Sequence, residues 1–168
     1  MKRPFFKYNP NVYSTEYVVK AKGKCQCCGG EVDEYVETMY CKENVECICL
    51  NCVASGEAAK KFDGSFVQGA MPLDDDEKKK ELFCRTPGYL SWQGEYWLTC
   101  CNDYCAFIGE VGIEELNELG IADEVINEYE TNNNCVLERE QLVKGGDICG
   151  YLFKCLHCEK YHLWVDMN

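Results

Sequence analysis

Cysteines in short clusters dominate the chemistry that this chain could perform. The 168 residues include 15 cysteines. Most of them fall into four clusters, at Cys25–Cys28, Cys47–Cys52, Cys100–Cys105 and Cys155–Cys158. Two to four residues between paired cysteines let one tight turn direct both sulfurs at a single point, as a tetrahedral zinc ion requires. The four clusters are enough for two sites, so the sequence predicts two structural zinc ions (Zn2+).

The first predicted site lies near the N-terminus. Its predicted ligands are Cys25, Cys28, Cys49 and Cys52. Cys27 and Cys47 stand beside them and remain alternative ligands. Ser55–Phe62 reads as a short helix after the second pair, and a helix N-terminus stabilises thiolate charge. A cysteine turn, a hairpin and a second pair leading into a helix follow one another as in a treble-clef zinc unit.

The second predicted site joins the middle of the chain to its end. Its predicted ligands are Cys101, Cys105, Cys155 and Cys158, and Cys100 competes with Cys101. The last pair lies between two predicted strands, Tyr151–Phe153 and Tyr161–Val165, which is the arrangement of half a zinc ribbon. A zinc ion that closes so long a loop would stabilise the fold by restricting the unfolded chain.

These patterns predict an α+β fold, a zinc-stabilised small domain over residues 1–168. Residues 1–70 are predicted to form a treble-clef-like lobe, and residues 71–168 a zinc-ribbon-like lobe with acidic helices. Helices are predicted at Ile113–Leu119 and Ala122–Glu130, with a further one at Val136–Val143. An acid-first, base-last segment at Pro72–Phe83 also predicts a helix, because this order complements the helix dipole.

The net charge of −12 is unevenly distributed. Residues 110–168 carry 13 acidic and 4 basic side chains. Such a surface repels a phosphate backbone, which argues against direct nucleic-acid binding and favours a basic protein partner. Solubility is the alternative role of these acids. The residues predicted to bind the partner are Glu110, Glu114, Glu115, Glu118, Asp123, Glu124 and Glu128.

The remaining signals argue against an enzyme, a membrane protein and a disulfide framework. Only two histidines are present, and no phosphate-binding glycine loop or His-Glu-x-x-His motif occurs. No stretch approaches the roughly 20 apolar residues that cross a bilayer. We therefore expect a cytoplasmic protein, in which clustered thiols bind metal rather than form disulfides. The isolated cysteines, Cys41, Cys84, Cys135 and Cys149, are expected to be small buried side chains.

Seven stretches resemble the CbrC-like family of bacterial proteins, and they extend over nearly the whole chain. They are Phe6–Pro10, Cys25–Cys28, Ile48–Cys52, Ala54–Gly64, Arg85–Tyr89, Trp97–Gly109 and Tyr151–Cys155. Where family members have His-Cys, this chain has Cys100-Cys101. That departure favours Cys101 as the ligand and leaves Cys100 as a substitute at a non-ligand position. The family name is tied to tolerance of a nuclease colicin, and relatives look like immunity proteins.

The resemblance and the charge together suggest a non-enzymatic zinc protein that neutralises a basic nuclease toxin. The acidic helices, together with the Arg85–Trp92 loop, would supply the contacts. One alternative is a zinc-stabilised stress-response or regulatory adaptor that binds a host protein. Another is a thiol redox or metal-handling protein that uses Cys27, Cys47 or Cys100.

Overall fold

The computed structural model describes residues 3–167, without the side chain of Met167, and the chain forms two compact units. The first unit extends to Leu90 and includes Gly94–Tyr96. The second comprises Ser91–Gln93 and the chain from Trp97 onward. A division after residue 70 remains a prediction of the sequence; the helix Asp76–Arg85 (α3) belongs to the first unit.

Two short antiparallel hairpins present the first cysteines. Strands β1 (Gly23–Lys24) and β2 (Glu31–Val32) pair, and the turn between them contains Cys25 and Cys28. Strands β3 (Tyr35–Val36) and β4 (Ile48–Cys49) pair in turn. Because β4 continues directly into helix α1 (Leu50–Ser55), Cys49 and Cys52 lie at the junction of a strand and a helix.

The helix predicted at Ser55–Phe62 begins two residues later than expected, and a glycine separates it from a preceding helix, α1, that the sequence does not predict. Helices α1 and α2 (Glu57–Phe62) meet at Gly56, whose φ of 75° is left-handed. This conformation costs glycine little and ends α1. Helix α3 begins after Asp75, whose side chain accepts a hydrogen bond from the Lys78 backbone N–H (3.1 Å). The predicted start at Pro72 is therefore too early.

The core of the first unit forms around α1 and α2. Phe6 and Tyr8 are buried, so the aromatic N-terminal stretch packs as an arm. A short β5 (Gly69–Ala70) lies outside this core, and the Gly69 N–H donates to Glu95 O (3.1 Å). The core side chains include Val12, Val18, Val36, Ile48, Val53, Phe62 and Phe66.

A three-stranded antiparallel sheet forms the centre of the second unit. Its strands are β9 (Ala106–Val111), β10 (Ile148–Lys154) and β11 (Tyr161–Met167), with β10 in the middle. They follow the short strands β6 (Tyr96–Trp97), β7 (Thr99–Cys100) and β8 (Asp103–Tyr104). Cys149 pairs with Asp166 and Lys154 with Tyr161 across the β10–β11 hairpin, and this register puts Cys155–Cys158 on its turn.

Two acidic helices accompany this sheet. They are α4 (Ile113–Glu118) and α5 (Ala122–Asn133), close to the predicted ranges. Their apolar side chains share a core with the sheet, and the members of that core include Leu116, Val125, Ile126, Leu152 and Leu163. The helix predicted at Val136–Val143 is instead a single 3₁₀ turn, Arg139–Gln141. Within residues 3–167, no helix is long and apolar enough to span a membrane.

Candidate metal centres

Four cysteine sulfurs converge in the first unit. The sulfurs of Cys25, Cys28, Cys49 and Cys52 all lie within 4.8 Å of one another. Cys28 Sγ and Cys49 Sγ are 4.0 Å apart. We call this set cluster one. It consists of the same four residues that the spacing predicts, and Cys27 and Cys47 lie outside it.

Backbone N–H groups point at one sulfur of cluster one. The Cys49 N–H donates to Cys25 Sγ (3.2 Å). Burial alone would raise the pKa of Cys25, but N–H donors from Cys49, Cys28 and Cys27 outweigh it and lower the pKa to about 7. Burial raises the pKa of Cys49 to about 11. A cation among the four sulfurs would favour the thiolate at each of them.

Two side chains that the sequence analysis did not single out hold the turn of cluster one. Lys61, on α2, donates from Nζ to the carbonyl oxygens of Gln26 (2.8 Å) and Cys27 (2.9 Å). Gln26 Oε1 accepts from the backbone N–H groups of Glu46 (2.7 Å) and Cys47 (2.9 Å). The turn is therefore tied both to a helix and to the segment before β4. No sequence motif signals these long-range contacts.

A second set of four sulfurs converges in the second unit. It consists of Cys100, Cys101, Cys155 and Cys158, again within 4.8 Å of one another. Cys100 Sγ lies 3.7 Å from Cys101 Sγ and 3.7 Å from Cys158 Sγ. We call this set cluster two. Among residues 3–167, clusters one and two are the groups of cysteine, histidine and carboxylate side chains whose geometry could hold a metal ion.

Cluster two corrects one expectation from the sequence, because Cys100 is a member and Cys105 is not. Cys101 and Asn102 both have left-handed backbones, with φ of 51° and 58°, and they form the two-residue turn between β7 and β8. Cys100 and Cys101 therefore both lie at the tip of this hairpin. A histidine at the equivalent of Cys100 would also be a zinc ligand, so the His-Cys resemblance is compatible with Cys100 in the site.

Cys105 instead lies in the core of the second unit. Its side chain is buried, and its backbone N–H donates to Leu98 O (3.0 Å). Its carbonyl accepts from Trp97 Nε1 (2.9 Å). Burial raises the pKa of its thiol to about 12. Cys105 is thus a small buried side chain. The same expectation for the isolated cysteines is confirmed for Cys149, whereas Cys41 and Cys84 are half-buried and Cys135 is exposed.

The second half of cluster two comes from the β10–β11 turn. The N–H groups of His157 and Cys158 both donate to Cys155 Sγ (3.4 Å each). They outweigh the effect of burial and lower the pKa of Cys155 to about 6. His157 Nε2 also lies 3.1 Å from Asp103 Oδ2, which connects this turn to β8. This contact joins the turn that carries Cys155 and Cys158 to the hairpin that carries Cys100 and Cys101.

The sulfur spacing in both clusters fits a tetrahedral ion. Zinc–sulfur bonds of about 2.3 Å place the sulfurs of a tetrahedral site about 3.8 Å apart. The sulfur–sulfur distances of 4.0 Å in cluster one and 3.7 Å in cluster two are close to this value. They are far longer than the roughly 2.05 Å of a disulfide bond. All 15 cysteines are unbridged.

The seven acids predicted to bind a partner have different environments. Glu110 is half-buried, and its carboxylate accepts from Cys149 Sγ (3.0 Å). Glu115 caps the start of α4 by accepting from the Gly112 N–H (2.8 Å). Asp123 pairs with Arg139, and Glu128 Oε2 shares a hydrogen bond with His162 Nδ1 (2.8 Å). Three of the seven are exposed, with no hydrogen bond or ion pair recorded within residues 3–167: Glu114, Glu118 and Glu124.

When the sequence is compared with models of protein families, one family model matches the whole described chain. Residues 3–167 match the model of an uncharacterised protein family, UPF0167. The chain belongs to the UPF0167 family. It is 34% identical to the UPF0167 protein PA1536 of Pseudomonas aeruginosa, over 98% of this chain and 97% of the relative.

Two mycobacterial members of UPF0167 are similarly related. The protein Mb2317 of Mycobacterium bovis and MT2352 of Mycobacterium tuberculosis are each 33% identical to this chain. The match covers 98% of this chain and 94% of each relative. No solved structure matches the chain. The names of these UPF0167 relatives state no activity, so function has to be argued from the chemistry of the clusters and the surface.

Proposed function

We propose that this UPF0167 member is a non-enzymatic protein whose two units are each held together by a structural zinc ion. The observation that carries the proposal is that four thiols meet within 4.8 Å, once in each unit. Four thiolates fill all positions of a tetrahedral zinc ion and leave none for a substrate or water. Catalytic zinc sites normally keep such a position open.

Local topology supports a specific form for each site. The turn of β1–β2 and the junction of β4 with α1 supply cluster one, as in a treble-clef unit. Two hairpin turns supply cluster two, as in a zinc ribbon. Elemental analysis of the gently purified protein tests this part. We expect two zinc ions per chain and colourless protein; an iron-coloured or metal-free protein would contradict it.

We further propose that the protein acts as an immunity or tolerance protein, which binds and neutralises a basic toxin such as a nuclease. The support is the net charge of −12, together with three acids in the α4–α5 region that are exposed and form no ion pair within residues 3–167: Glu114, Glu118 and Glu124. Each zinc ion bound by four thiolates adds about −2 to this charge. Complementary charge accelerates association and makes it sensitive to salt.

Native mass spectrometry of the protein from its own host tests this role, because it reports the bound metal and any bound protein together. The captured partner is then titrated against a variant with Glu114, Glu118 and Glu124 changed to Gln. The matched control changes three exposed acids of the first unit, Glu16, Glu31 and Glu43, to Gln. We expect the first variant to bind roughly tenfold more weakly and with a flatter salt dependence. Equal loss in both variants would contradict a specific acidic surface.

One observation favours a second function. Two sulfurs of cluster two, those of Cys101 and Cys158, are exposed. Exposed thiolates are the ones that oxidants and competing metal ligands reach. Rapid alkylation of these thiols in the zinc-loaded protein would support a thiol redox or metal-handling role, and inert thiols would contradict it.

A further inference from the structure

A cavity of about 620 Å³ lies in the first unit, away from the cysteines of cluster one. Helix α2 and the residues on either side of it form one side of this cavity. Helix α3 forms another side through Lys80, Cys84 and Arg85. The volume lies within the range of about 300–1,000 Å³ that small-molecule sites occupy.

Basic side chains line this cavity in a protein that is otherwise strongly acidic. Lys60, Lys80 and Arg85 contribute three positive charges, against the two negative charges of Glu57 and Asp63. Glu77 and Glu81 lie close to Lys80 and Arg85, so the surroundings of the cavity carry no net positive charge. The three cationic groups nevertheless offer hydrogen-bond donors and positive charge to an anion at this place.

The three cations retain donors for a ligand. Arg85 Nη1 lies 3.6 Å from Glu81, and Lys80 Nζ lies 3.6 Å from Glu77. Both separations exceed a good hydrogen bond, and pairs this exposed are weak. The Lys60 ammonium has no ion-pair partner among residues 3–167. An anion could therefore bind these groups without breaking a strong internal contact.

A glycine lets Arg85 reach its position. A Cβ added to Gly56 would lie 3.2 Å from Arg85 Nε and 3.3 Å from Arg85 Cγ. The arginine side chain therefore lies against the bare backbone of the α1–α2 junction. A side chain at this position would push the arginine aside by a few tenths of an ångström and would strain the left-handed φ of 75°, so glycine suits the position best. This packing limits the positions open to the arginine side chain, and fewer positions reduce the entropy cost of binding.

The remaining wall of the cavity is less polar. The Tyr40 ring lines it together with Ala59 and Cys84. The Tyr40 hydroxyl is already engaged, because it donates to Glu95 Oε2. Tyr40 is 37% exposed, and an aromatic ring offers a flat group a surface on which it can stack. A ligand with a charged end and a flat apolar end matches both walls.

We propose that this cavity binds a small molecule that carries a phosphate group and a flat apolar body, as a nucleotide does. Lys60, Lys80 and Arg85 hold the phosphate oxygens, and the Tyr40 ring contacts the body. A phosphate carries up to two negative charges and several acceptor oxygens, so it can bind several of the cations that line the cavity, which a single carboxylate does less well. The Arg85 guanidinium can bind two of these oxygens at once.

Backbone NMR of the isotope-labelled, zinc-loaded protein tests the proposal with AMP as the probe and adenosine as its phosphate-free control. We expect AMP at millimolar concentration to shift the amide signals of Gly56, Gly64 and Arg85. Adenosine should bind at least about tenfold more weakly, since it forms no charged hydrogen bonds. Inorganic phosphate should also bind more weakly than AMP, because it makes no contact with Tyr40.

Two neighbouring lysines of α3 provide a matched pair of variants. Lys80→Met removes a cavity charge, whereas Lys79→Met removes the same charge from a side chain that pairs with Asp76 and does not line the cavity. We expect about tenfold weaker AMP binding for Lys80→Met and Arg85→Met and little change for Lys79→Met. The absence of shifts with AMP, equal binding of adenosine, or an equal loss in Lys79→Met would overturn the proposal.

Discussion

The turn between β7 and β8 decides which sulfurs reach cluster two. Cys101 and Asn102 occupy a two-residue turn of left-handed backbone, with Cys100 directly opposite Asp103 in the register. Adjacent cysteines at a hairpin tip can both point to the same ion, whereas Cys105 lies beyond the hairpin, between β8 and β9. A non-glycine residue with positive φ is uncommon, and such positions occur at binding sites that hold them in place.

Two serine substitutions separate a ligand from a core cysteine. Cys100→Ser should reduce the metal content from two ions to one, because it removes a thiolate from cluster two. Cys105→Ser should keep both metals and lower the free energy of unfolding by about 1–3 kcal/mol, since it buries a hydroxyl without a prepared partner. Elemental analysis and urea unfolding measure the two effects. Loss of one metal from Cys105→Ser alone would contradict this assignment.

This difference shows what cysteine spacing can and cannot predict. Cys25, Cys28, Cys49 and Cys52 followed from spacing, since each pair fits a single tight turn. Cys101 and Cys105 fit the same rule, yet the register of a short hairpin selects Cys100 in place of Cys105. That register depends on tertiary packing around Trp97, whose indole N–H donates to Cys105 O. Sequence spacing contains no information on that contact.

A buried carboxylate in the first unit gives stability a pH dependence. Glu95 is only 4% exposed, and burial raises the pKa of its carboxyl group, although hydrogen bonds from Tyr40 and the Gln68 N–H partly oppose this. The folded state therefore keeps the proton to higher pH than the unfolded chain does. The Glu95 carboxyl group therefore stabilises the folded state at pH values below its unfolded pKa of 4.5. This stabilisation is lost as the pH rises through the raised pKa of the folded state.

Replacing Glu95 with Gln should remove this dependence. We expect the unfolding free energy of Glu95→Gln, relative to that of the original protein, to increase as pH rises from about 4.5 toward neutrality. Zinc binding also depends on pH, but this dependence is the same in the variant and in the original protein, so it cancels when the two are compared at each pH. Urea unfolding over this range measures the difference, and the exposed Glu16→Gln serves as the control. If the difference in unfolding free energy between Glu95→Gln and the original protein did not change with pH, burial would not raise the pKa of Glu95 as inferred.

At the scale of elements, the two cysteine clusters differ in how far solvent reaches them. In cluster one, Cys25, Cys49 and Cys52 are buried and only Cys28 is exposed. Lys61 of α2 also holds the turn of this cluster. In cluster two, Cys155 is the only buried member. A competing chelator can therefore reach the ion of cluster two more easily.

We expect a chelator that changes colour on binding zinc to remove the two ions in two phases. Cluster two should lose its ion roughly tenfold faster, because the contacts that surround metal ligands change metal affinity by about tenfold or more. Single variants assign the phases. Cys101→Ser should lack the fast phase, and Cys25→Ser should lack the slow one. The reverse assignment, or one common rate, would show that burial of the sulfurs does not control release.

The helices show a second limit of sequence reasoning. The ranges of α4 and α5 followed from apolar periodicity, and the structure confirms them to within a few residues. The sequence predicts a helix over Ser55–Phe62 with Ser55 as a possible N-cap, but the helix begins at Glu57, and Ser55 is the last residue of a preceding helix, α1. A single glycine inside a helical pattern leaves both outcomes open. In this structure, Gly56 has a left-handed backbone, and the side chain of Arg85 packs against it. Arg85 lies 29 residues further along the sequence, so a local helical pattern does not reveal this contact.

At the scale of the whole molecule, each compact unit has its own apolar core and its own cysteine cluster. The first core surrounds Val53 and Phe66, and the second surrounds Ile126 and Leu152. Small cores of this kind gain stability from a metal ion that closes a loop of the chain. The high negative charge works in the opposite direction, because it adds self-repulsion to the folded state. The metal ions are therefore expected to contribute a large share of the stability of each unit.

Because each unit carries a complete cluster, loss of one ion should unfold one unit and leave the core of the other intact. We expect Cys52→Ser to collapse the amide dispersion of Val53 and Phe66 while the signals of Ile126 and Leu152 stay dispersed. Cys155→Ser should give the reverse pattern, because its loop lies in the second unit. Two-dimensional NMR of each variant with one equivalent of zinc measures this. A loss of dispersed amide signals from both cores in either variant would contradict this prediction. It would mean that the two units unfold together and that each ion does not stabilise its own unit alone.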